Sequence, residues 1–178
     1  PGLVTARIIS SKLSDNEPPY NIKLYQALPK SDKLDVIIQK AVEIGASEII
    51  PFESERSIVK IDGDIERELK KLERRRRISH EAAKQCGRGV IPEVRLPLGF
   101  DAMLKDAAGC GLKLFFYEGD GTVPLRRFLC ENYQSREYMD IAVVVGAEGG
   151  FSLAETEKAK ALGFELCGLG KRILRCET

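Results

Sequence analysis

Two short apolar runs near the end of this 178-residue chain each break into a loop that carries glycine. Residues 141–145 lead into Gly146-Ala147-Glu148-Gly149-Gly150-Phe151-Ser152, and residues 164–169 lead into Gly170-Lys171-Arg172-Ile173-Leu174-Arg175-Cys176-Glu177-Thr178. A brief β-prone run without polar alternation suits a strand buried on both faces, and such strands belong to parallel sheets covered by helices. Both loops then leave the same edge of a sheet. In open α/β sheets that carboxyl edge is where ligands sit, and glycine lets backbone approach a small molecule closely. A plain strand-to-helix turn needs one glycine, whereas the first loop has three within five residues, so the two loops together suggest a cofactor pocket. Neither a phosphate-binding Gly-x-x-x-x-Gly-Lys-Ser/Thr nor a Gly-x-Gly-x-x-Gly fingerprint is present.

The rest of the chain alternates in the same manner. Leu34, Ile37, Ile38, Ala41 and Val42 recur at helical spacing, with Ser31 or Asp32 as N-cap and Gly45 as terminator. Strands are expected at residues 48–52, 94–96 and 112–117, and helices at 65–86, 100–107, 125–132 and 153–162. Glu118-Gly119-Asp120-Gly121 forms a third loop at a strand end. This alternation predicts an α/β fold, a mostly parallel sheet with helices on both faces. Residues 3–9 and 22–28 read as two strands around the turn-rich Ser14-Asp15-Asn16-Glu17-Pro18-Pro19. They are too short for an independent domain, so the expected division is residues 1–28 as the last part of an all-β unit and 29–178 as the α/β domain. The chain starts without methionine and stops directly after an arginine-rich loop, so both ends are expected to be cut.

With 43% hydrophobic and 31% charged residues, no signal peptide and no apolar stretch near 18 residues, the composition points to the cytoplasm and away from a membrane. Five cysteines form no Cys-x-x-Cys pair, which argues for free thiols over a metal knuckle or a disulfide framework. The net charge of +1 is unevenly placed: residues 66–88 hold nine Lys and Arg against four Asp and Glu. A polyanion such as nucleic acid suits that face, as does a plain solvated helix. His80, alone in this helix, has no neighbour at metal-ligand spacing and reads as an exposed helix residue. Arg172 and Arg175 fit either surface ion pairs or the stabilisation of charge developing on a carbonyl oxygen. Gln85 and Arg88 fit either nucleotide contact or capping of the last carbonyls.

Several motifs, in order, resemble a known family. They are Lys30-x-Asp32, Gln39-Lys40-Ala41-x-Glu43-x-Gly45, Ser54-Glu55-Arg56-Ser57, Glu81-Ala82-Ala83-x-Gln85-x-x-Arg88, Ile91-Pro92, Gly146-x-Glu148-Gly149-Gly150-Phe151-Ser152-x-x-Glu155 and Leu169-Gly170-x-Arg172-Ile173-Leu174-Arg175-x-Glu177-Thr178. The set resembles the RsmE family, the 16S rRNA uridine N3 methyltransferases of the SPOUT superfamily. Ala147 replaces a usual proline, Cys176 a usual threonine, and Arg75 lies near a usual tryptophan.

The resemblance implies a deep trefoil knot near the C-terminus, a PUA-like RNA-binding barrel ahead of the α/β domain, of which residues 1–28 are a remnant, and a final helix beyond Thr178. It implies S-adenosylmethionine as cofactor, a homodimer, and 16S rRNA or the assembled small ribosomal subunit as partner. Residue by residue, it assigns the cofactor to Glu118, Gly119, Gly146, Glu148, Gly149, Gly150, Leu169, Gly170, Ile173 and Leu174. Catalysis falls to Arg172, Arg175 and Glu177, with Arg88 a lesser candidate; Glu148 or Glu177 either accepts the N3 proton or orients an arginine. RNA contact is expected from Arg74, Arg75, Arg76, Arg77 and Arg88. An RNA-binding module without catalysis, or an enzyme for another RNA position, are the competing readings.

Overall fold

The computed structural model describes residues 4–11, 16–132 and 140–178. Its elements follow in the order β1 (Asn21–Ala27), α1 (Lys33–Glu43), β2 (Glu48–Glu53), α2 (Ile65–Gln85), β3 (Glu93–Val94), β4 (Leu98–Gly99), α3 (Phe100–Ala107), β5 (Leu112–Phe116), β6 (Val123–Pro124), α4 (Leu125–Asn132), β7 (Asp140–Val145), α5 (Leu153–Ala161) and β8 (Glu165–Gly168). The strands line up as β3-β2-β1-β7-β5-β8-β6, with β4 also beside β2, and every pairing is parallel.

Strand alternation divides the core between two faces. Tyr25, Ala27, Ile50, Phe52, Phe115, Ala142 and Val144 pack under α3 and α5. On the other face, Ile49 and Val94 meet Leu34, Ile38 and Val42 of α1 and Leu72 of α2. The apolar stripe of α1 is buried as its spacing predicts. Gly45 ends that helix at φ +102, and a Cβ there would stand 2.6 Å from Pro18, so both backbone conformation and space require glycine.

The expected boundary at residue 28 does not hold. The strand assigned to the barrel remnant is β1, an interior strand of the sheet, paired with β2 through Leu24–Ile49 and with β7 through Leu24–Val143. Tyr25 and Ala27 are fully buried there. Sequence period alone cannot separate a short barrel strand from a buried central one; the pairing settles it, and the sheet begins at Asn21. No strand runs through residues 4–11, where Val4, Ile8 and Ile9 are exposed. Leu3 and residues 12–15 lie outside the described residues.

With β1 and β7 adjacent, the chain winds away from β1 toward β3 and returns on the far side, which opens a crevice at the carboxyl ends of the strands. Loops 28–32, 54–64, 117–122, 146–152 and 169–178 all leave that edge. β8 lies between β5 and β6, so loop 117–122 passes over the end of the last strand. A Cβ on Gly168 would stand 3.2 Å from the Thr122 hydroxyl.

Candidate functional site

The first glycine loop is held from beneath. Phe151 is buried against Phe115, their ring centroids 4.2 Å apart, and stacks on Phe52 at 6.2 Å. Ser152 caps α5 in a reciprocal box with Glu155, whose other carboxylate oxygen accepts the Glu55 N–H at 2.8 Å. The buried Gln26 amide donates to the Gly146 carbonyl at 3.2 Å. A Cβ on Gly146 would lie 3.1 Å from Phe151, and one on Gly149 3.0 Å from Arg56, so both glycines are set by close packing.

Its upper surface is open. Gly150 has φ +62, and nothing lies within 4 Å of where its Cβ would be. The same combination occurs at Gly121 in loop 117–122 and at Gly170 in the C-terminal loop. Three neighbouring loops thus each present left-handed glycine backbone to open space, a surface on which a ligand can meet N–H and C=O groups directly. Residues 170–174 make no hydrogen bond with other backbone among the described residues. Leu169 and Ile173 are exposed beside them, as is Glu118.

The two glutamates converge on a residue that the sequence reading did not single out. Lys33, first residue of α1, places its ammonium 2.9 Å from Glu148 and 3.3 Å from Glu177. Glu148 also accepts the Lys30 N–H, at 3.3 and 3.4 Å. Burial raises the Glu148 pKa, but the Lys33 hydrogen bond and backbone N–H groups outweigh it and leave the carboxyl below its usual range. Glu177 is lowered by its own backbone N–H, by Cys176 and by Lys33. Burial, aided by Glu177, pushes the Cys176 thiol up to about 11, so it stays protonated at neutral pH. A cation in the first turn of a helix opposes the macrodipole, and that local conflict is the one sequence signal that could have drawn notice to Lys33, though not to its partners.

Arg172 and Arg175 are exposed and face no carboxylate among the described residues. Lys30 and Lys171 are likewise unpaired, and Arg56 donates only to the Gly149 carbonyl at 3.4 Å. These five cations rim the same sheet edge.

Arg88 is a correction. Its side chain is 5% exposed and sits 2.6 Å from Glu17, and it also donates to the carbonyls of Val42 at 3.0 Å and Ala46 at 2.6 Å. With its donors engaged inside the fold it reaches neither RNA nor a reacting base. The arginine run is largely engaged as well. Arg74 pairs with Asp35 and Asp32, and Arg76 with Glu93 and the Val94 carbonyl. Arg75 is partly buried, which lowers its pKa, and its Nη1 has no partner. Only Arg77 of the four stands free among the described residues. His80 is 53% exposed, as expected, and all five cysteines are free. A cleft of about 480 Å³ between Ser54, Phe100 and Glu155 has four acids, Glu53, Glu55, Asp101 and Glu155, in its lining and includes no residue of the glycine loops.

The RNA methyltransferase domain family matches residues 16–178, from the turn before β1 to the last residue of the C-terminal loop. The chain belongs to that family. Among its relatives is the ribosomal RNA small subunit methyltransferase E of Mesomycoplasma hyopneumoniae, 36% identical over 97% of this chain and 71% of the relative. A ribosomal RNA small subunit methyltransferase E from Neisseria gonorrhoeae, solved with S-adenosylmethionine bound, is 35% identical at a TM-score of 0.79, covering 93% of this chain and 65% of that one. A Legionella pneumophila methyltransferase, also solved with the bound cofactor, gives 34% and 0.79, covering 91% and 63%. The chain therefore spans about two thirds of the length of these RNA methyltransferases.

Proposed function

We propose that this protein is an S-adenosylmethionine-dependent methyltransferase that modifies N3 of a uridine in 16S rRNA of the small ribosomal subunit. The observation that carries this reading is the row of left-handed glycines at 121, 150 and 170 along one sheet edge, each with open space where a Cβ would stand. Relatives about one third identical bind S-adenosylmethionine.

The donors present fit that cofactor. Unpaired backbone of residues 170–174, the cradle at Gly146, Glu148, Gly149 and Gly150, and the loop at Glu118 and Gly119 would enclose it, with Leu169, Ile173 and Leu174 supplying apolar contact. When bound, the cofactor supplies a methyl group made electrophilic by its sulfonium. The chain's own task is to hold uridine N3 in line and to stabilise the charge that spreads to O2 and O4 when the N3 proton leaves. Arg172 and Arg175, unpaired at the same edge, suit that role. Glu177, held ionised beside Lys33, orients the loop that carries them. Lys30, Arg56 and Lys171 supply phosphate contacts around the mouth, and the target base is splayed from its neighbours to enter.

The same reading includes a deep trefoil knot, consistent with β8 lying between β5 and β6. It also includes a homodimer, an N-terminal PUA-like barrel part now confined to residues before Asn21, and a cytoplasmic place of action. No helix among the described residues is long and apolar enough to cross a membrane. The test is to incubate the protein with small subunits and labelled cofactor, then map the modified nucleotide. Label on N3 of one 16S uridine is expected; no transfer, or transfer elsewhere, overturns the assignment.

A further inference from the structure

Lys33 opposes a local rule. A lysine at the first position of α1 lies against the positive end of the helix dipole, and Asp32 before it makes no side-chain cap. Two residues earlier, Ser31 adopts φ +55, a conformation that costs a non-glycine residue about 1–2 kcal/mol. Strain and adverse electrostatics in one four-residue turn persist only where surrounding contacts over-determine them, and such turns cluster at functional sites.

The contacts are specific. The Lys33 ammonium lies within ion-pair distance of one carboxylate from each glycine loop, Glu148 at 2.9 Å and Glu177 at 3.3 Å. The turn's own backbone adds the Lys30 N–H to Glu148. Within the described residues, the Lys33–Glu177 pair is the one side-chain ion pair or hydrogen bond between loop 169–178 and the rest of the protein. Apart from it, residues 170–174 make no hydrogen bond with other backbone and no side-chain ion pair among the described residues.

We propose that Lys33 is a positioning residue: one ammonium clasps both loop walls through Glu148 and Glu177 and sets the width of the site between them. This rests on the methyltransferase reading only for the identity of the molecule between the walls. The clasp itself is a property of the chain.

Two measurements separate the two claims. Hydrogen exchange on the ligand-free protein tests the clasp: Lys33→Met is expected to speed exchange in residues 148–150 and 176–178 together, leaving the β1 and β7 amides protected. Acceleration in one loop alone, or in neither, overturns the proposal, and loss of protection throughout the sheet reassigns Lys33 to general stability. Calorimetry with S-adenosylmethionine and steady-state kinetics test the consequence. Lys33→Met is expected to weaken cofactor binding about tenfold, with KM for the cofactor rising more than kcat falls. Lys33→Met/Glu148→Gln should be no worse than Lys33→Met alone, since both remove the same link, and additive losses contradict a shared clasp. If the unaltered protein binds no cofactor, the methyltransferase reading fails while the exchange result still decides the clasp.

Discussion

Helix α2 with its following turn holds nine Lys and Arg between residues 66 and 88; the loops of the carboxyl edge hold six, Lys30, Arg56, Lys60, Lys171, Arg172 and Arg175. In the first region five of the nine, Arg67, Lys71, Arg74, Arg76 and Arg88, pair with carboxylates among the described residues, and Arg75 is partly buried. In the second region one of the six, Lys60, pairs with a carboxylate, Glu53, and the other five pair with none among the described residues. Local charge density in a sequence therefore measures supply, not availability. Polyanion binding needs cations whose partners lie outside the protein.

The sharpest way to break this comparison is to remove one arginine from each region. Arg88→Ala leaves the Glu17 carboxylate and two backbone carbonyls without their donor at a site 5% exposed, and is expected to cost about 3–5 kcal/mol in urea denaturation. Arg175→Ala should leave stability within about 0.5 kcal/mol, while turnover falls about a hundredfold or more with cofactor affinity retained. An equal fall in cofactor affinity would make Arg175 a binding residue. Glutamine at Lys30, Arg56 and Lys171 should lower the salt slope of RNA binding by about one per contact removed, whereas glutamine at Arg74, Arg75 and Arg76 should leave it nearly unchanged. The reverse ranking would return RNA to the helix.

Two smaller effects sharpen the structural side. Glu17 is held below the usual carboxylate range chiefly by the Arg88 hydrogen bond, against the opposing effect of burial. A depressed folded pKa gives stability that is present above the unfolded value, about 4.3, and is lost as pH falls through the folded one. The stability gap between the native protein and Glu17→Gln should therefore narrow as pH drops below about 4. A gap that stays constant with pH would mean that the carboxylate charge is not what holds Arg88. Ser31→Gly, which relieves a left-handed φ but adds chain entropy to the unfolded state, should raise stability by no more than about 1 kcal/mol.

Much of this was legible because it is local. The α1 stripe, the apolar β7 run, the Ser152 cap and the glycine loops are each specified by neighbouring residues, and each lies where its pattern places it. What was not legible depends on distance. β1 looks like any short apolar strand until its partners 25 and 119 positions away, Ser47 and Asp140, are known to meet Ile22 and Asn21. The burial of Arg88 depends on Glu17, 71 residues earlier, and the importance of Lys33 on carboxylates more than 100 residues later. Pairing of charges is a tertiary property, so the arginine run of α2 reads as open charge in the sequence although most of it is engaged by carboxylates or burial in the fold.

The central claim is that the open glycine backbone at 121, 150 and 170 is where the cofactor sits. Titrating the isotopically labelled protein with S-adenosylmethionine and following its amide resonances tests this directly. The account predicts saturable shifts concentrated in residues 117–122, 146–152 and 169–174. Shifts centred instead on the cleft at Ser54, Phe100 and Glu155, or no shifts at all, would contradict it.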